Sequence, residues 1–196
     1  RTDGFIAVSL EIAGRLRAEG IDAERIAVIP NAIAIDPESV ASGDALRRSL
    51  ELPDGATLVA AVGRLVPAKG YADLIDAVAS LDDPSVHVVI AGEGESRRAI
   101  EARIESRGLS LRIRLLGAVE PAQALRWIKS SDLFVMASVT EGTPVALLEA
   151  AALAKPIVTT SAGGIPSIVQ DFVHARIVPP AEPPALASAI RSTTTA

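Results

Sequence analysis

The sequence predicts a three-layer α/β/α sandwich built on a parallel sheet, and three observations carry that prediction. Short apolar runs alternate with amphipathic segments along almost the whole chain, which is the pattern of successive βαβ units. The runs are apolar nearly throughout, as in Thr57-Leu-Val-Ala-Ala-Val62 and Val86-His-Val-Val-Ile-Ala91, as expected of strands covered by helices on both faces. Polar and glycine-containing motifs recur beside these runs, and open α/β sheets bind ligands beyond the carboxyl ends of their strands.

Taken in order, strands are expected over 5–8, 26–29, 57–62, 86–91, 113–116, 133–136, 157–160 and 176–178. A helix over 11–19 separates the first two. The segment Gly63-Arg64-Leu-Val-Pro-Ala-Lys69-Gly70 follows a strand and opens a helix over 71–80. Asp82-Asp83-Pro84 resembles a carboxylate pair for a metal but reads better as a turn before the next strand. Gly92-Glu93-Gly94 leads from that strand toward a helix over 96–107, and a further helix is expected over 121–129. Asp132-Leu-Phe-Val-Met136 reads as a buried strand before a helix over 144–154. Thr143 is placed to cap that helix, and Pro144 suits its first position, where a missing N–H costs nothing.

Composition narrows the function. Hydrophobic residues make up 49% of the 196 residues but aromatics only 3%, so the core is aliphatic. The length suits one generous domain. A formal charge of −5 without Lys/Arg clusters argues against nucleic acid as a partner. The absence of cysteine excludes disulfides, zinc thiolate sites and thiol catalysis. No apolar run reaches the roughly 18 residues of a membrane span.

The stretch Ser-Val-Thr-Glu-Gly-Thr-Pro-Val-Ala-Leu-Leu-Glu over 138–149 is the most informative. It places two carboxylates, Glu141 and Glu149, at one helix N-terminus. The free amides of a first turn and the helix dipole suit a phosphate. Helical side chains lean toward the N-terminus, so Glu149 points back toward the same mouth. Amides for a diphosphate and carboxylates for hydroxyls together suit a sugar nucleotide.

Glu-Gly-x-Pro-x4-Glu-Ala resembles the donor-site signature of retaining glycosyltransferases of the GT-B type, family 4 (group 1). The resemblance continues through Pro30-Asn31, Gly63-Arg64-Leu65 with Lys69-Gly70, Ala91-Gly92-Glu93-Gly94, Leu116-Gly117, Ser131-Asp132, Lys155-Pro156 and Gly163-Gly164-Ile165-Pro166, in the family's order. All these motifs are expected at the carboxyl ends of strands. The resemblance implies the C-terminal, Rossmann-like half of a GT-B enzyme. Residues 1–25 would be the last strand and helix of an N-terminal acceptor-binding domain absent here, and 26–196 a donor domain truncated at its C-terminus.

The resemblance also assigns residues. Glu141, Arg64 and Lys69 are the candidate catalytic groups: Glu141 against the transferred sugar near the reacting carbon, and the two cations against the leaving diphosphate, in place of a metal. Glu149 would accept from the ribose hydroxyls in charge-assisted hydrogen bonds. Gly63 would allow close backbone approach, and Gly142, Thr143, Pro144 and Val145 would form the loop and first turn that cradle phosphates and sugar, mostly through backbone groups. Gly92 would lie close to the nucleotide, and Leu116, Gly117, Ala118 and Val119 would hold the base by backbone contacts. No metal ligand set and no cofactor are expected. The donor would be a nucleotide diphosphate sugar, UDP- or GDP-linked in the first place, and transfer would proceed with retention by same-face attack. Without the N-terminal domain the chain would bind donor weakly and transfer nothing.

Rival readings are a non-catalytic nucleotide-sugar binding subunit of a split enzyme, a GT-B relative with different chemistry such as an epimerase, and a generic Rossmann domain. His87 and His174 lack a nearby nucleophile, and Trp127 reads as core or interdomain surface. Four departures from the family pattern stand out: Ala32 where Gly is usual, Ala154 for Gly before Lys-Pro, Ser167 for Glu, and Asp171-Phe-Val-His-Ala-Arg where a glycine turn is common. A cytoplasmic location is expected, with the full-length enzyme peripheral at the inner membrane face. The strand at 5–9, deprived of its sheet, should be disordered, taken up by the donor sheet, or exchanged with a second copy in a dimer.

Overall fold

A computed structural model describes residues 3–41 and 43–194. Its centre is a six-stranded, wholly parallel sheet of β3 (Thr57–Val62), β4 (Val86–Ala91), β5 (Ile113–Gly117), β6 (Leu133–Met136), β7 (Ile157–Thr160) and β8 (Arg176–Val178). The spatial order is β5-β4-β3-β6-β7-β8. The chain thus builds outward from β3 to β5, then crosses back and builds the other way from β6. This gives the sheet its switch point between β3 and β6.

Two aliphatic layers cover the sheet, because each strand supplies apolar side chains to both faces. On one face Val59, Ala61, Val88 and Ile90 meet α3 (Tyr71–Ser80), α4 (Arg97–Ser106) and α7 (Pro183–Thr194), through Leu74, Ile75, Ile100, Ile104, Leu186 and Ile190. On the other, Leu58, Ala60, Val89 and Phe134 meet α5 (Pro121–Ser130) and α6 (Val145–Ala152), through Trp127, Ile128, Leu147 and Ala150. Each fully buried Leu or Ile contributes about 1.5–3 kcal/mol. Trp127 is therefore core. A short α2 (Asp44–Arg48) lies upstream of β3.

Before the sheet stand β1 (Phe5–Ala7), α1 (Leu10–Ala18) and β2 (Ile26–Val28). Ser9 caps α1, its Oγ accepting from the Ile12 amide at 3.2 Å. The strand expected to open the second unit, Ile26–Val28, instead pairs with Phe5–Ala7 in a separate two-stranded parallel sheet. The segment expected to lack a sheet or to exchange with another copy therefore finds a partner in its own chain. Ile6, Leu10 and Ile29 remain exposed on this unit.

Two motifs expected at carboxyl strand ends lie at the opposite end. Ser131-Asp132 precedes β6 and Lys155-Pro156 precedes β7. There the Asp132 carboxylate accepts from Arg47 Nη1 at 2.9 and 3.0 Å and from the Leu58 amide at 2.7 Å, and Lys155 donates to the Ser131 carbonyl at 2.7 Å. These residues stitch strand starts together. No helix among the described residues is long and apolar enough to cross a membrane.

Candidate functional site

The loops after β3 and β6 flank the switch point, and they carry Arg64, Lys69 and Glu141. This is where an open α/β sheet parts to leave a crevice. Neighbouring loops are zipped together by backbone bonds. The Gly63 amide donates to Ala91, Leu65 to Glu93 and Ser96 to Leu65, at 2.8–3.0 Å. Gly92 is required by this contact, since a Cβ there would lie 1.9 Å from the Gly63 carbonyl oxygen. Pro67–Lys69 forms a 3-10 turn, and the Val139 amide donates to the Ala68 carbonyl at 2.8 Å, joining the β3 loop to the β6 loop.

That junction brings together two residues far apart in sequence. Lys69 Nζ donates to Glu141 Oε1 at 2.5 Å, and Ser138 Oγ donates to the same oxygen at 2.6 Å. The Glu141 side chain is only 8% exposed, and both donors meet one oxygen of its carboxylate. Ser138 is held in turn by Thr160, whose hydroxyl donates to the Ser138 carbonyl at 2.6 Å. Tyr71 donates to the Gly63 carbonyl at 3.1 Å. Burial, with the Glu141 charge adding to it, pushes the Tyr71 phenol well above its ordinary value, so it stays a neutral donor. Glu141's own carbonyl is covered by Gly163, where a Cβ would sit 1.8 Å from the oxygen.

The helix that follows starts one residue later than expected. Pro144 has extended backbone (ψ 117°) and occupies the N-cap of α6, which begins at Val145. Thr143 does not cap it: its hydroxyl donates to the Val8 carbonyl, and its own carbonyl accepts from Asn31 Nδ2 at 2.9 Å. The Leu147 and Leu148 amides reach the Pro144 carbonyl, at 3.2 and 3.4 Å. Among the described residues, the Val145 and Ala146 amides have no protein acceptor. They remain available to an anion, favoured by the helix dipole.

Glu149 lies one turn into α6, half-buried, and its carboxylate has no hydrogen bond or ion pair among the described residues. Burial raises its carboxyl above the usual value. A desolvated carboxylate without a partner gains from any hydroxyl offered to it. The Arg64 guanidinium is exposed and equally unpartnered among the described residues. Gly117 ends β5 with a left-handed φ of 77°, and Val119 follows it. Glu93 beside them is paired with Arg97. Gly142 sits between Glu141 and Thr143, packed against Val8.

Residues set aside in the sequence have structural partners. Asp83 accepts from the Ser85 amide and hydroxyl at 2.9 and 2.6 Å, closing a turn. His174 Nδ1 accepts from the Gln170 amide at 3.1 Å, and Ser167 Oγ donates to Gly164 at 2.6 Å. Among the described residues no group of three or more His, Asp or Glu side chains could hold a metal. Ser138, Tyr71 and Asn31 are supports that the sequence did not single out. Ser138 and Asn31 stood within quoted motifs, but nothing in their spacing announced these contacts. A cavity of about 520 Å³ lies elsewhere, at the amino end of the sheet between Asp44 and Ala56. Its Arg47 is already bound to Asp132, Ser130 and Ala56, so the switch point is the better candidate.

Comparison with known proteins agrees. The chain is similar to the D-inositol 3-phosphate glycosyltransferase of Geodermatophilus obscurus, 30% identical over 184 residues covering 88% of this chain and 41% of that protein. It is 32% identical over 162 residues to the D-inositol 3-phosphate glycosyltransferase of Mycolicibacterium smegmatis, covering 80% of this chain and 37% of that one. Among solved structures, Anabaena Alr3699/HepE in complex with UDP and glucose superposes with a TM-score of 0.87 at 26% identity, over 97% of this chain and 53% of HepE. HepE has also been solved with UDP-glucose, with a TM-score of 0.86 at 27% identity. The chain thus spans about half the length of these relatives or less. Residues 43–195 match the family Glycosyl transferases group 1, and with the GT-B likeness of the fold this shows that the chain belongs to the group 1 glycosyl transferases.

Proposed function

We propose that the chain is the nucleotide-sugar donor half of a retaining glycosyltransferase, with UDP as the carrier. The observation that carries this reading is the cluster at the switch point: a buried Glu141 held by Lys69, together with the Val145 and Ala146 amides and a desolvated Glu149 carboxylate that have no partner among the described residues. Anabaena HepE, which binds UDP and UDP-glucose, supports the choice of base.

In this reading the amides of α6 and the Arg64 guanidinium receive the diphosphate, and Glu149 accepts from the ribose. Backbone groups at Gly117 and Val119 meet the base, Gly92 lets the backbone close in beside it, and the backbone of 142–145 surrounds the phosphates and sugar. Glu141 accepts from sugar hydroxyls near the anomeric carbon, and Lys69 turns from Glu141 toward the departing phosphate. Same-face transfer then balances. The acceptor oxygen bonds to the anomeric carbon as the bond to the β-phosphate oxygen breaks, and that oxygen takes the acceptor's proton. The charge gained by the leaving diphosphate falls on Arg64, Lys69 and the helix amides, so the reaction is assigned no metal. The acceptor and its contacts belong to an N-terminal domain, and transfer requires it.

The rival, a non-catalytic binding subunit, rests on the half-length coverage and shares the same donor contacts. Calorimetric titration of UDP, GDP and ADP, with and without magnesium, tests the reading. UDP should bind independently of magnesium, and Glu149→Ala should weaken it. Preference for another base, or an absolute need for metal, would contradict it. Adding the upstream domain separates enzyme from binding subunit: sugar transfer favours the first.

A further inference from the structure

The loop that carries Glu141 is held from outside its own sheet. Asn31, three residues beyond β2, donates its Nδ2 to the Thr143 carbonyl at 2.9 Å, while Val8, just after β1, accepts from the Thr143 hydroxyl. Both polar handles of Thr143 are thus taken by the two-stranded unit. The packing is equally close. A Cβ on Gly142 would lie 3.1 Å from Val8 Cγ2, and one on Gly164 would lie 3.0 Å from Ser9 Cβ. Thr143 is buried, whereas Asn31 is exposed.

An exposed asparagine that reaches a buried carbonyl contributes little to the core. Its effect falls on the peptide it holds. That peptide lies between Glu141 and Pro144, whose carbonyl closes the first turn of α6 below the Val145 and Ala146 amides, which have no acceptor among the described residues. We propose that Asn31 is a positioning residue for donor binding: with Val8 it clamps Thr143, so that the Glu141 loop and the α6 N-terminus are ordered before ligand arrives. This rests on the donor-site reading above. Ordering a loop in advance removes that entropy from the binding step. The two-stranded unit, which supplies none of the proposed donor contacts, thereby sets affinity at the site.

The clamp has a signature that a general loss of structure lacks. Residues 141–146 serve the diphosphate and sugar, whereas Glu149, Gly117 and Val119 serve ribose and base. Asn31→Ala and Asn31→Asp, which keeps the size but loses the donor, should therefore weaken UDP-glucose about three- to tenfold, the worth of one hydrogen bond. Uridine, which carries ribose and base but no phosphate, should bind both variants as it binds the wild type. The melting temperature should stay within about 2 °C, as for most exposed substitutions. In the ligand-free protein, exchange of the Leu147 and Leu148 amides should accelerate in both variants relative to amides of α3. Equal weakening of uridine and UDP-glucose, or an unchanged ratio with unchanged exchange, overturns the proposal. A wild-type chain that does not bind UDP-glucose overturns the donor reading instead, and the exchange result then decides the clamp alone.

Discussion

Replacing Lys69 by methionine removes the cation from the site while keeping its length. Glu141, 8% exposed, would be left with one neutral donor, Ser138 at 2.6 Å. Breaking a fully buried ion pair by deleting one partner costs about 3–5 kcal/mol. Here the lysine end is 21% exposed, so water can reach part of the orphaned carboxylate and about 2 kcal/mol is the better figure. For a domain of this size that corresponds to a fall of about 4–8 °C in melting temperature. Lys69→Met with Glu141→Gln should recover most of the loss, because a neutral amide accepts from Ser138 without a buried charge. The assay is urea and thermal unfolding of the wild type, both single variants and the double variant. A Lys69→Met loss below about 0.5 kcal/mol, or a double variant as unstable as the two losses summed, would refute the claim that the pair holds the site's charge.

Ala154 lies at φ 52°, closing α6 in a Schellman arrangement: its amide donates to Ala151 and the Lys155 amide to Ala150, both at 3.0 Å. Ala154→Gly should relieve about 1–2 kcal/mol of left-handed strain against about 0.4–1 of added chain entropy, raising the melting temperature by a few degrees. Gly92→Ala forces a Cβ to 1.9 Å from the Gly63 carbonyl. It should separate the β3 and β4 loops, lowering both melting temperature and UDP affinity, as melting and calorimetry would show. Burial raises the Glu149 carboxyl, so the folded state holds that proton to higher pH than the unfolded chain. The linked stability is full below the unfolded value and is lost as pH rises through the folded one. Glu149→Gln should flatten that slope in pH-dependent melts. Ribose hydroxyls donate to the ionised form, so wild-type UDP affinity should fall as pH drops through the raised value, and the variant's should not.

Much of this was legible because buried parallel strands are continuous apolar runs. The runs at 57–62, 86–91, 133–136 and 157–160 are the observed β3, β4, β6 and β7. Illegible were features that depend on distance through space. A three-residue strand such as Ile26–Val28 does not specify which sheet it joins. Pro144 fits an N-cap as well as a first helical position, the difference being one ψ angle. The order of motifs in sequence says nothing about which strand end they occupy, so Asp132 and Lys155 were placed with the site while they brace the opposite end. Glu149 and Lys69 were named from the motif, but the Lys69–Glu141 bond, spanning 72 residues, emerges only when β6 returns beside β3.

The most direct test of the donor-site account is a UDP titration followed by backbone amide NMR on this chain. Shifts should concentrate at Gly63, Gly117, Val145 and Ala146 and be lost on Glu149→Ala. Shifts concentrated instead between Asp44 and Ala56, around the cavity at the amino end of the sheet, would contradict it.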